Sequence, residues 1–545
     1  MIKFAMKTRN LFSKQEKYFL HPFFSNTDKD IYCIKGLPPE LTGALCSRAS
    51  RAKNDLRRIF LDEYIKPILE GEDKKLSKDL ITTIDFLHKN GIDKIVNNEK
   101  ARNFFAKWLA QYGDDSIMQM LGTYLAMTKV TQVALKHLQD QRIGLAPIEK
   151  STRYVNYSSK IKNRYQYYTE SKLGKDYEKT MNLLFDTYSK SLPILHNILI
   201  KKYPDDNPAI LEKKAFDTLR GLLPCSTLSQ VAFYGNAQAM EYLVNRSILH
   251  PLRELRYISK SSKTELDKEI PSLLMRLSGS KSKEYQKYLS QKQANVDKIV
   301  DKVLKASKVD IENKPIVKLV EYDKEGEDKI ISSILFPQTH LSWESIAKKV
   351  KSLSNKQKQN ILKTYTKGRT ERWQKIGRAM ENSYVRFEIV MNIGAYRDLQ
   401  RHRMLTQARQ LFSTYLGYDI PKELTGTEIE KSYNKAMLQA KKTFEKIKKK
   451  DKYLAQYAVP MAYRIRFYQY KNLRQCFWET ELRTISQGHP DYRTIEQEKY
   501  RLLKKAYPNI AALMMVDMND YDIARRGTLE KIEKKEKQLL GKNDK

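Results

Sequence analysis

The chain has 545 residues, of which 101 are Lys or Arg and 64 are Asp or Glu, giving a formal net charge of +37. A hydrophobic fraction of 41% excludes a largely disordered chain, and the length predicts about two to four domains. The positive charge favours ligands that carry phosphate. Because many lysines alternate with glutamates along helical faces, as in 441–452 and 531–545, we favour a solvated surface over a nucleic-acid groove.

The cysteines and the apolar stretches indicate the compartment. Cys33, Cys46, Cys225 and Cys476 form no Cys-x-x-Cys pair, which argues against a zinc site and a disulfide framework. No stretch approaches the ~18 apolar residues of a membrane helix, and the N-terminus lacks the pattern of a secretion signal. We expect a cytoplasmic protein with no membrane anchor and no metal site.

The predicted organisation is α+β, with two tandem α/β domains packed as a pseudo-dimer and joined by a helical connector. In chain order, the prediction is an N-terminal extension, a first domain, a Ser- and Lys-rich connector, a second domain and a basic tail, over residues 1–29, 30–256, 257–314, 315–520 and 521–545.

Within the second domain, several elements can be predicted from periodicity. Residues 315–322 predict a first strand, and the alternation in 384–390 predicts a strand that leads into a helix with Ala395 and Leu399 on one face. Pro460 is predicted to begin a helix, and 472–483 has helical spacing.

Two blocks recur in the same order in both domains, which indicates an internal duplication. Residues 133–142 (VALKHLQDQR) match 394–403 (GAYRDLQRHR), an offset of 261 from Arg142 to Arg403. Residues 223–238 match 459–474, an offset of 236 from Asn236 to Asn472. The first copy therefore carries an insertion of 25 residues between the blocks, expected within 155–215.

At these blocks the chain resembles the flavin-dependent thymidylate synthases, the ThyX family. That family's motif begins Arg-His-Arg, continues to a Ser and an Asn-Glu pair, and ends in Ser-x-Arg-Tyr. The second copy keeps the beginning as Arg401, His402 and Arg403, with Thr406 for Ser, whereas the first copy keeps the end as residues 151–154 (STRY). An Arg before Leu-Pro survives as Arg220 in the first copy and is Gln456 in the second.

The resemblance implies conversion of dUMP to dTMP, with methylenetetrahydrofolate as carbon donor and NADPH-reduced FAD as hydride source. It implies that Arg401, Ser151, Thr152, Arg153, Arg220 and Arg483 bind the nucleotide, and that Ser116, Arg401, His402, Arg403, Asn472 and Arg474 bind the flavin. Arg483 is the implied catalytic residue, because a fixed cation beside the uracil favours the anionic pyrimidine whose C5 is nucleophilic.

The losses are divided between the copies in a way that predicts one composite site. In the family, one subunit supplies the Arg-His-Arg segment and the Asn-x-Arg helix, and a neighbour supplies the Ser-x-Arg loop. The second copy here keeps the first set and the first copy keeps the second set, so the two halves of one chain can build one complete site. A homodimer would then reproduce the family's tetramer.

Several departures leave alternatives open. Asp398 stands where the family has Gln beside the nucleotide, and the missing Asn-Glu pair has only Glu149 as an approximate substitute. One alternative is a catalytically degenerate protein that binds nucleotide or nucleic acid through its basic surface. Another is a related flavoenzyme that modifies a different pyrimidine nucleotide.

Overall fold

The structure is a computed structural model that describes most of the chain. The described residues are 11–91, 99–104, 107, 116–271, 275–305, 307–308, 310–312, 314–524, 526 and 535–537. They divide into two compact units, each of which includes a segment from the other half of the chain. The first unit contains Met1–Gly174, Cys225–Lys308 and Lys450–Tyr457, and the second contains Lys175–Pro224, Val309–Lys449 and Ala458–Lys545.

The first unit is built on a four-stranded antiparallel sheet. Its strands are β1 (Ile31–Ile34), β2 (Gly122–Val130), β3 (Leu145–Glu149) and β4 (Ser229–Asn236), in the spatial order β1-β2-β4-β3. Around it lie the helices Lys14–Leu20, Pro39–Ala49, Leu56–Phe60, Lys66–Glu70, Lys74–Asn90, Ser116–Met120, Gln132–Gln139, Ala237–Ser247, Arg253–Glu269, Ser280–Val303 and Lys452–Ala455.

The predicted N-terminal extension contributes to the core of this unit. Phe19 and Leu20, from the first helix, are buried in the same apolar cluster as Tyr32 of β1 and Leu45 of the second helix. Burying large apolar side chains stabilises the fold by about 1.5–3 kcal/mol each, so the helix Lys14–Leu20 belongs to the folded unit.

The second unit repeats the same sheet. Its strands are β5 (Ile316–Tyr322), β6 (Tyr384–Asn392), β7 (Thr406–Arg409) and β8 (Arg464–Asn472), in the order β5-β6-β8-β7. Its helices are Gly174–Lys202, Pro208–Leu219, Gly326–Leu335, Trp343–Lys351, Asn355–Tyr365, Ile393–Leu399, Glu428–Lys448, Leu473–Arg483, Pro490–Ala506 and Pro508–Ala511. The predicted mixed α/β class, in two tandem copies, is confirmed, as are the strands predicted at 315–322 and 384–390.

The segment 175–224 comes from the first copy but packs within the second unit. The hydroxyl oxygens of Thr180 and Thr443 lie 2.7 Å apart in a buried contact between two long helices. Farther along, the backbone N–H of Met461 donates to the carbonyl of Leu223 at 2.9 Å. Because of this packing, the end of the segment lies among the elements of the second copy. The predicted site residue Arg220 is in this part of the segment.

Helix caps show that the two copies align as the sequence blocks predict. Thr131 and Asn392 each accept a hydrogen bond from the backbone N–H three residues ahead and so begin equivalent helices. Asn236 and Asn472 do the same at the second pair of helices, with distances of 2.8 and 2.9 Å. The recurring Asn of the second block is therefore a capping residue in both copies.

One sequence expectation differs from the structure, and two further observations concern the predicted domain bounds. Pro460 begins no helix, because the residues after it alternate in burial and form β8, so that prediction is wrong. The helix Arg253–Glu269 crosses the predicted boundary at 256/257, since Ile258 and Leu266 are buried with the first copy. Most of the predicted tail, 521–545, lies outside the described residues.

Within the described part of the chain, no helix is both long enough and apolar enough to cross a bilayer.

Candidate functional site

The triplet Arg401, His402 and Arg403 directly follows the short helix Ile393–Leu399. Arg401 and Arg403 are exposed, whereas His402 is buried. The side chain of Gln407, on β7, donates to the carbonyls of Gln400 and His402 at 3.0 and 3.2 Å, which holds the turn. The triplet therefore presents two cations to solvent on either side of an inward-pointing ring.

His402 positions Arg483. The Nε–H of Arg483 donates to Nε2 of His402 at 2.9 Å, and the side-chain amide of Gln475 lies 3.2 Å from Nδ1. Burial lowers the pKa of His402 to about 3, so the ring is neutral. A neutral ring that accepts at Nε2 carries its proton on Nδ1, so the carboxamide of Gln475 accepts from Nδ1 once it is turned to place Oε1, in the position of Nε2, toward the ring.

The helix that carries Arg483 is anchored by buried ion pairs. Glu479 pairs with Lys471 at 2.5 Å and with Lys499 at 3.1 Å, and Lys499 also pairs with Glu496. Although burial alone would raise the pKa of Glu479, the two lysines hold it well below its ordinary value. Removing one partner of such a cluster leaves a buried charge, at a penalty of about 3–5 kcal/mol, so the helix is held firmly.

Two further predicted residues on this helix have structural partners. Arg474 donates to Glu381 at 2.6 Å and remains 39% exposed. The Oδ1 atom of Asn472 is used as the helix cap, accepting from the N–H of Gln475. Arg474 is thus accessible to a ligand, and the side-chain amide nitrogen is the group of Asn472 that could donate to one.

Arg220 lies against the helix that precedes the triplet. It is buried, and its guanidinium is 3.8 Å from the carboxylate of Asp398. A Cβ placed on Gly394 would lie 3.1 Å from Nε of Arg220. Glycine at 394 therefore leaves the room in which the guanidinium of Arg220 lies, and the carboxylate at 398 has a basic neighbour.

A cleft of about 490 Å³ opens beside Arg220 within the second unit. Asn392 donates to two of its carboxylates, Asp419 at 2.9 Å and Asp491 at 2.6 Å, and Arg464 pairs with Asp419. The described lining holds six Asp or Glu against four Lys or Arg.

The predicted Ser-Thr-Arg residues lie in the first unit, in the turn after β3. The hydroxyl of Ser151 accepts from the N–H of Arg153 at 3.1 Å, Thr152 is buried, and Arg153 is half-buried. Glu149 is buried and accepts from Gln132 at 2.8 Å, which ties the turn to the neighbouring helix. Ser116 begins the helix Ser116–Met120, but its side chain lies outside the described part of the structure.

The second unit therefore brings together seven of the predicted residues, Arg220, Arg401, His402, Arg403, Asn472, Arg474 and Arg483, whereas Ser116, Ser151, Thr152 and Arg153 belong to the first. Sequence reasoning missed Gly394 and the positioning role of His402. The sequence did contain a signal for Gly394. The second copy has Gly394 where the first copy has Val133, and the first copy has Arg220 where the second copy has Gln456. The small residue and the arginine occur together.

Among the described residues, no group of three or more His, Cys, Asp or Glu side chains could hold a metal ion. The four cysteines, all within the described residues, are buried and form no disulfide with one another.

Comparisons with known proteins place the chain in a family. The family model described as thymidylate synthase complementing protein matches it twice, over residues 75–272 and 318–509. A UPF0159 protein of Chlamydia pneumoniae is 35% identical over 532 residues, covering 94% of this chain and 97% of the relative. A UPF0159 protein of Thermoplasma acidophilum is 27% identical and covers 89% of this chain and 96% of its own.

Among solved structures, the chain matches a UMP/dUMP methylase of Streptomyces cacaoi bound to 5-Br dUMP. The match has 14% identity and a TM-score of 0.29, and covers 38% of this chain and 96% of the methylase.

Proposed function

Because the chain belongs to the family of thymidylate synthase complementing proteins and contains two copies of its fold, we propose that it methylates a pyrimidine nucleotide. The proposed reaction converts dUMP to dTMP, with methylenetetrahydrofolate as carbon donor and NADPH-reduced FAD as hydride source. The proposed site combines residues from both copies of the chain.

The observation that carries this proposal is the position of Arg220. Although it belongs to the first copy, it lies in the second unit, against the helix of the triplet, with Asp398 at 3.8 Å. A defunct enzyme would have no need to keep an arginine in one copy and the glycine that accommodates it in the other. In the proposed site, Arg220 binds the nucleotide phosphate together with Arg153 and Ser151, since guanidinium groups bind phosphate in bidentate fashion.

Arg483 is the proposed catalytic residue, and His402 is proposed to position it. Because His402 is neutral and accepts from Nε, the terminal nitrogens of Arg483 are left to face a substrate. A cation fixed beside the uracil stabilises negative charge that develops on the pyrimidine and so activates C5. No cysteine nucleophile is needed.

The residues of the second copy fit a flavin that carries a diphosphate. Arg401 and Arg403 are exposed, Arg474 is partly exposed, and all three can donate to phosphate oxygens. When bound, FAD supplies the hydride for the methyl group. His402 is better suited to positioning Arg483 than to binding the flavin, since both ring nitrogens have side-chain partners.

The proposal is tested with purified full-length protein. It should bind FAD, with the absorbance of a flavoprotein, and form dTMP when given dUMP, methylenetetrahydrofolate and NADPH. Arg220→Ala and Arg483→Ala should each lower the rate by about 10²- to 10³-fold, the scale of losing one charge-stabilising group in an active site.

Controls come from the aligned positions of the other copy. Gln456→Ala and Ser247→Ala remove the residues aligned with Arg220 and Arg483 and should leave the rate within about threefold of wild type, since a single neutral hydrogen bond is worth roughly 0.5–1.5 kcal/mol. A protein that cannot be loaded with FAD contradicts the proposal. Methylation of UMP in preference to dUMP would keep the chemistry but change the substrate.

A further inference from the structure

The first copy contains a cavity of about 940 Å³, within the size range of small-molecule sites. It is lined by residues of the first unit, several of which align with the triplet or with 472–481 of the second copy. Gln141 aligns with His402, and Gln238 aligns with Arg474. The cavity therefore occupies, in the first copy, the position at which the second copy carries its proposed flavin site.

One pair of aligned positions meets in both copies, but its charges differ. Arg474 donates to Glu381 in the second copy, and at the aligned positions Gln119 donates to Gln238 at 3.4 Å. An ion pair has been replaced by a pair of carboxamides.

A further aligned position also loses its charge. Glu481 binds Arg369 through two hydrogen bonds, of 2.6 and 3.0 Å. Asn245, aligned with Glu481, accepts from Gln286 at 2.9 Å.

The contact between the positions of His402 and Gln475 also occurs in both copies. His402 lies beside the side chain of Gln475, and the aligned Gln141 donates to the carbonyl of Ala239, the residue aligned with Gln475, at 2.6 Å. Arg483 is aligned with Ser247. The positions aligned with Arg474 and Arg483 are neutral, and Arg142, aligned with Arg403, is not among the described residues that line the cavity, so the cavity is suited to an uncharged ligand.

The lining indicates which kind of ligand. Its charged members among the described residues are one carboxylate, Glu241, and one lysine, Lys281, which balance each other. Carboxamides such as Gln119, Gln238 and Asn245 present a donor and an acceptor side by side, which matches the N6 and N7 atoms of adenine. Tyr242 and Tyr285 also line the cavity and are 39% and 40% exposed, so their rings can stack on a base.

Gln141 contributes a buried hydrogen-bond acceptor that lacks a donor among the described residues. Its Oε1 atom is buried and has no hydrogen-bond partner among the residues that the structure describes. A buried acceptor without a donor is unfavourable, and a small rotation toward the cavity would pair it with an amino group.

We propose that the first copy holds a second, noncatalytic site that binds an adenine nucleoside through carboxamide and tyrosine side chains. Among the residues that the structure describes, its lining lacks the arginines that a phosphate would require. Adenosine and AMP share the base, and their comparison separates recognition of the base from recognition of the phosphate.

The test is isothermal titration of adenosine into the full chain after addition of FMN, which carries the flavin ring but no adenine and so cannot occupy the proposed adenine site. One adenosine should bind per chain. Gln238→Leu and Tyr285→Ala, on two walls of the cavity, should each weaken binding by roughly tenfold, the effect of losing a hydrogen bond or a stacking partner. AMP should bind within about threefold of adenosine, and inorganic phosphate should not compete, because a single lysine is a weak phosphate site.

Arg474→Leu is the matched control, since it changes the aligned position of the second copy. It should leave adenosine binding unchanged while weakening the binding of FAD. Failure of the proposed enzyme function and failure of this site are therefore distinguishable. Absence of adenosine binding, loss of binding in Arg474→Leu but not in Gln238→Leu, or AMP binding more than about tenfold tighter than adenosine would each overturn the proposal.

Discussion

Single side chains decide the chemistry proposed for the second copy. Within the triplet, exposure separates the roles, because Arg401 and Arg403 reach solvent and His402 does not. A run of adjacent cations ordinarily indicates a solvated surface. The hydrogen bond from Arg483 gives the middle member a different role, that of a neutral acceptor that fixes the direction of a guanidinium.

The burial of His402 makes stability depend on acid pH. The unfolded chain takes up a proton near pH 6.5, but the folded ring does so only near pH 3. Through this residue, the free energy of unfolding should therefore fall by up to about 1.4 kcal/mol for each pH unit below 6.5. His402→Gln, which can still accept from Arg483, should flatten that part of the profile.

Urea unfolding of both proteins at pH 7, 5.5 and 4 measures the effect. His250→Gln is a control, since burial also lowers the pKa of His250, to about 4, in the other copy. Identical slopes for wild type and His402→Gln would show that the ring is protonated in the folded protein.

Asn472 illustrates how a predicted ligand residue can also have a structural role. Its Oδ1 caps the helix that carries Arg474 and Arg483. Asn472→Ala should lower the free energy of unfolding by about 1 kcal/mol and weaken the binding of FAD. Asn472→Asp keeps the cap, so it should preserve stability while weakening FAD, because a carboxylate repels phosphate.

Chemical denaturation and flavin titration of the two variants separate these effects. If Asn472→Asp bound FAD as wild type does, the residue would be a capping residue without a role in cofactor binding.

At the scale of elements, the equivalent helices of the two copies are tied to their surroundings by different chemistry. In the first copy, Glu254 accepts from the N–H and hydroxyl of Thr131 at 2.9 and 2.7 Å, and from Tyr457 at 2.8 Å. In the second copy, Asp491 accepts from Asn392. A carboxylate at the start of a later helix thus holds the cap residue in both.

Burial raises the pKa of Glu254 from 4.5 to about 7. The unfolded chain releases this proton above pH 4.5 and the folded chain retains it to about pH 7, so stability should fall as pH rises through that window, by roughly 3 kcal/mol at most. Glu254→Gln keeps the shape without the titration and should lose this dependence.

Unfolding at pH 5 and pH 8 measures the difference between wild type and Glu254→Gln. A wild-type profile that is as flat as that of the variant would mean that Thr131 and Tyr457 keep the carboxylate ionised.

For the whole molecule, the duplication makes the oligomeric state informative. If one chain replaces two family subunits, the protein should sediment as a homodimer, at twice the chain mass of 64.0 kDa. Analytical ultracentrifugation over a range of concentrations measures this. A monomer that retains full activity would show that one chain is sufficient for the site.

Much of the fold could be predicted from the sequence. The offsets of 261 and 236 between the copies agree with the caps at Thr131 and Asn392 and at Asn236 and Asn472. Strands β5 and β6 were also predicted, because alternation and helical spacing are local patterns. The helix predicted at Pro460 was wrong because a proline can precede a strand as readily as a helix.

The division of motifs between the copies could be read from the sequence alone, because it depends on residue identity in two aligned segments. Only the tertiary structure decided that 175–224 packs in the second unit, that His402 is buried, and that Gly394 makes room for Arg220. These depend on contacts between residues far apart in the chain, and local patterns carry no information about which distant segment fills a given space.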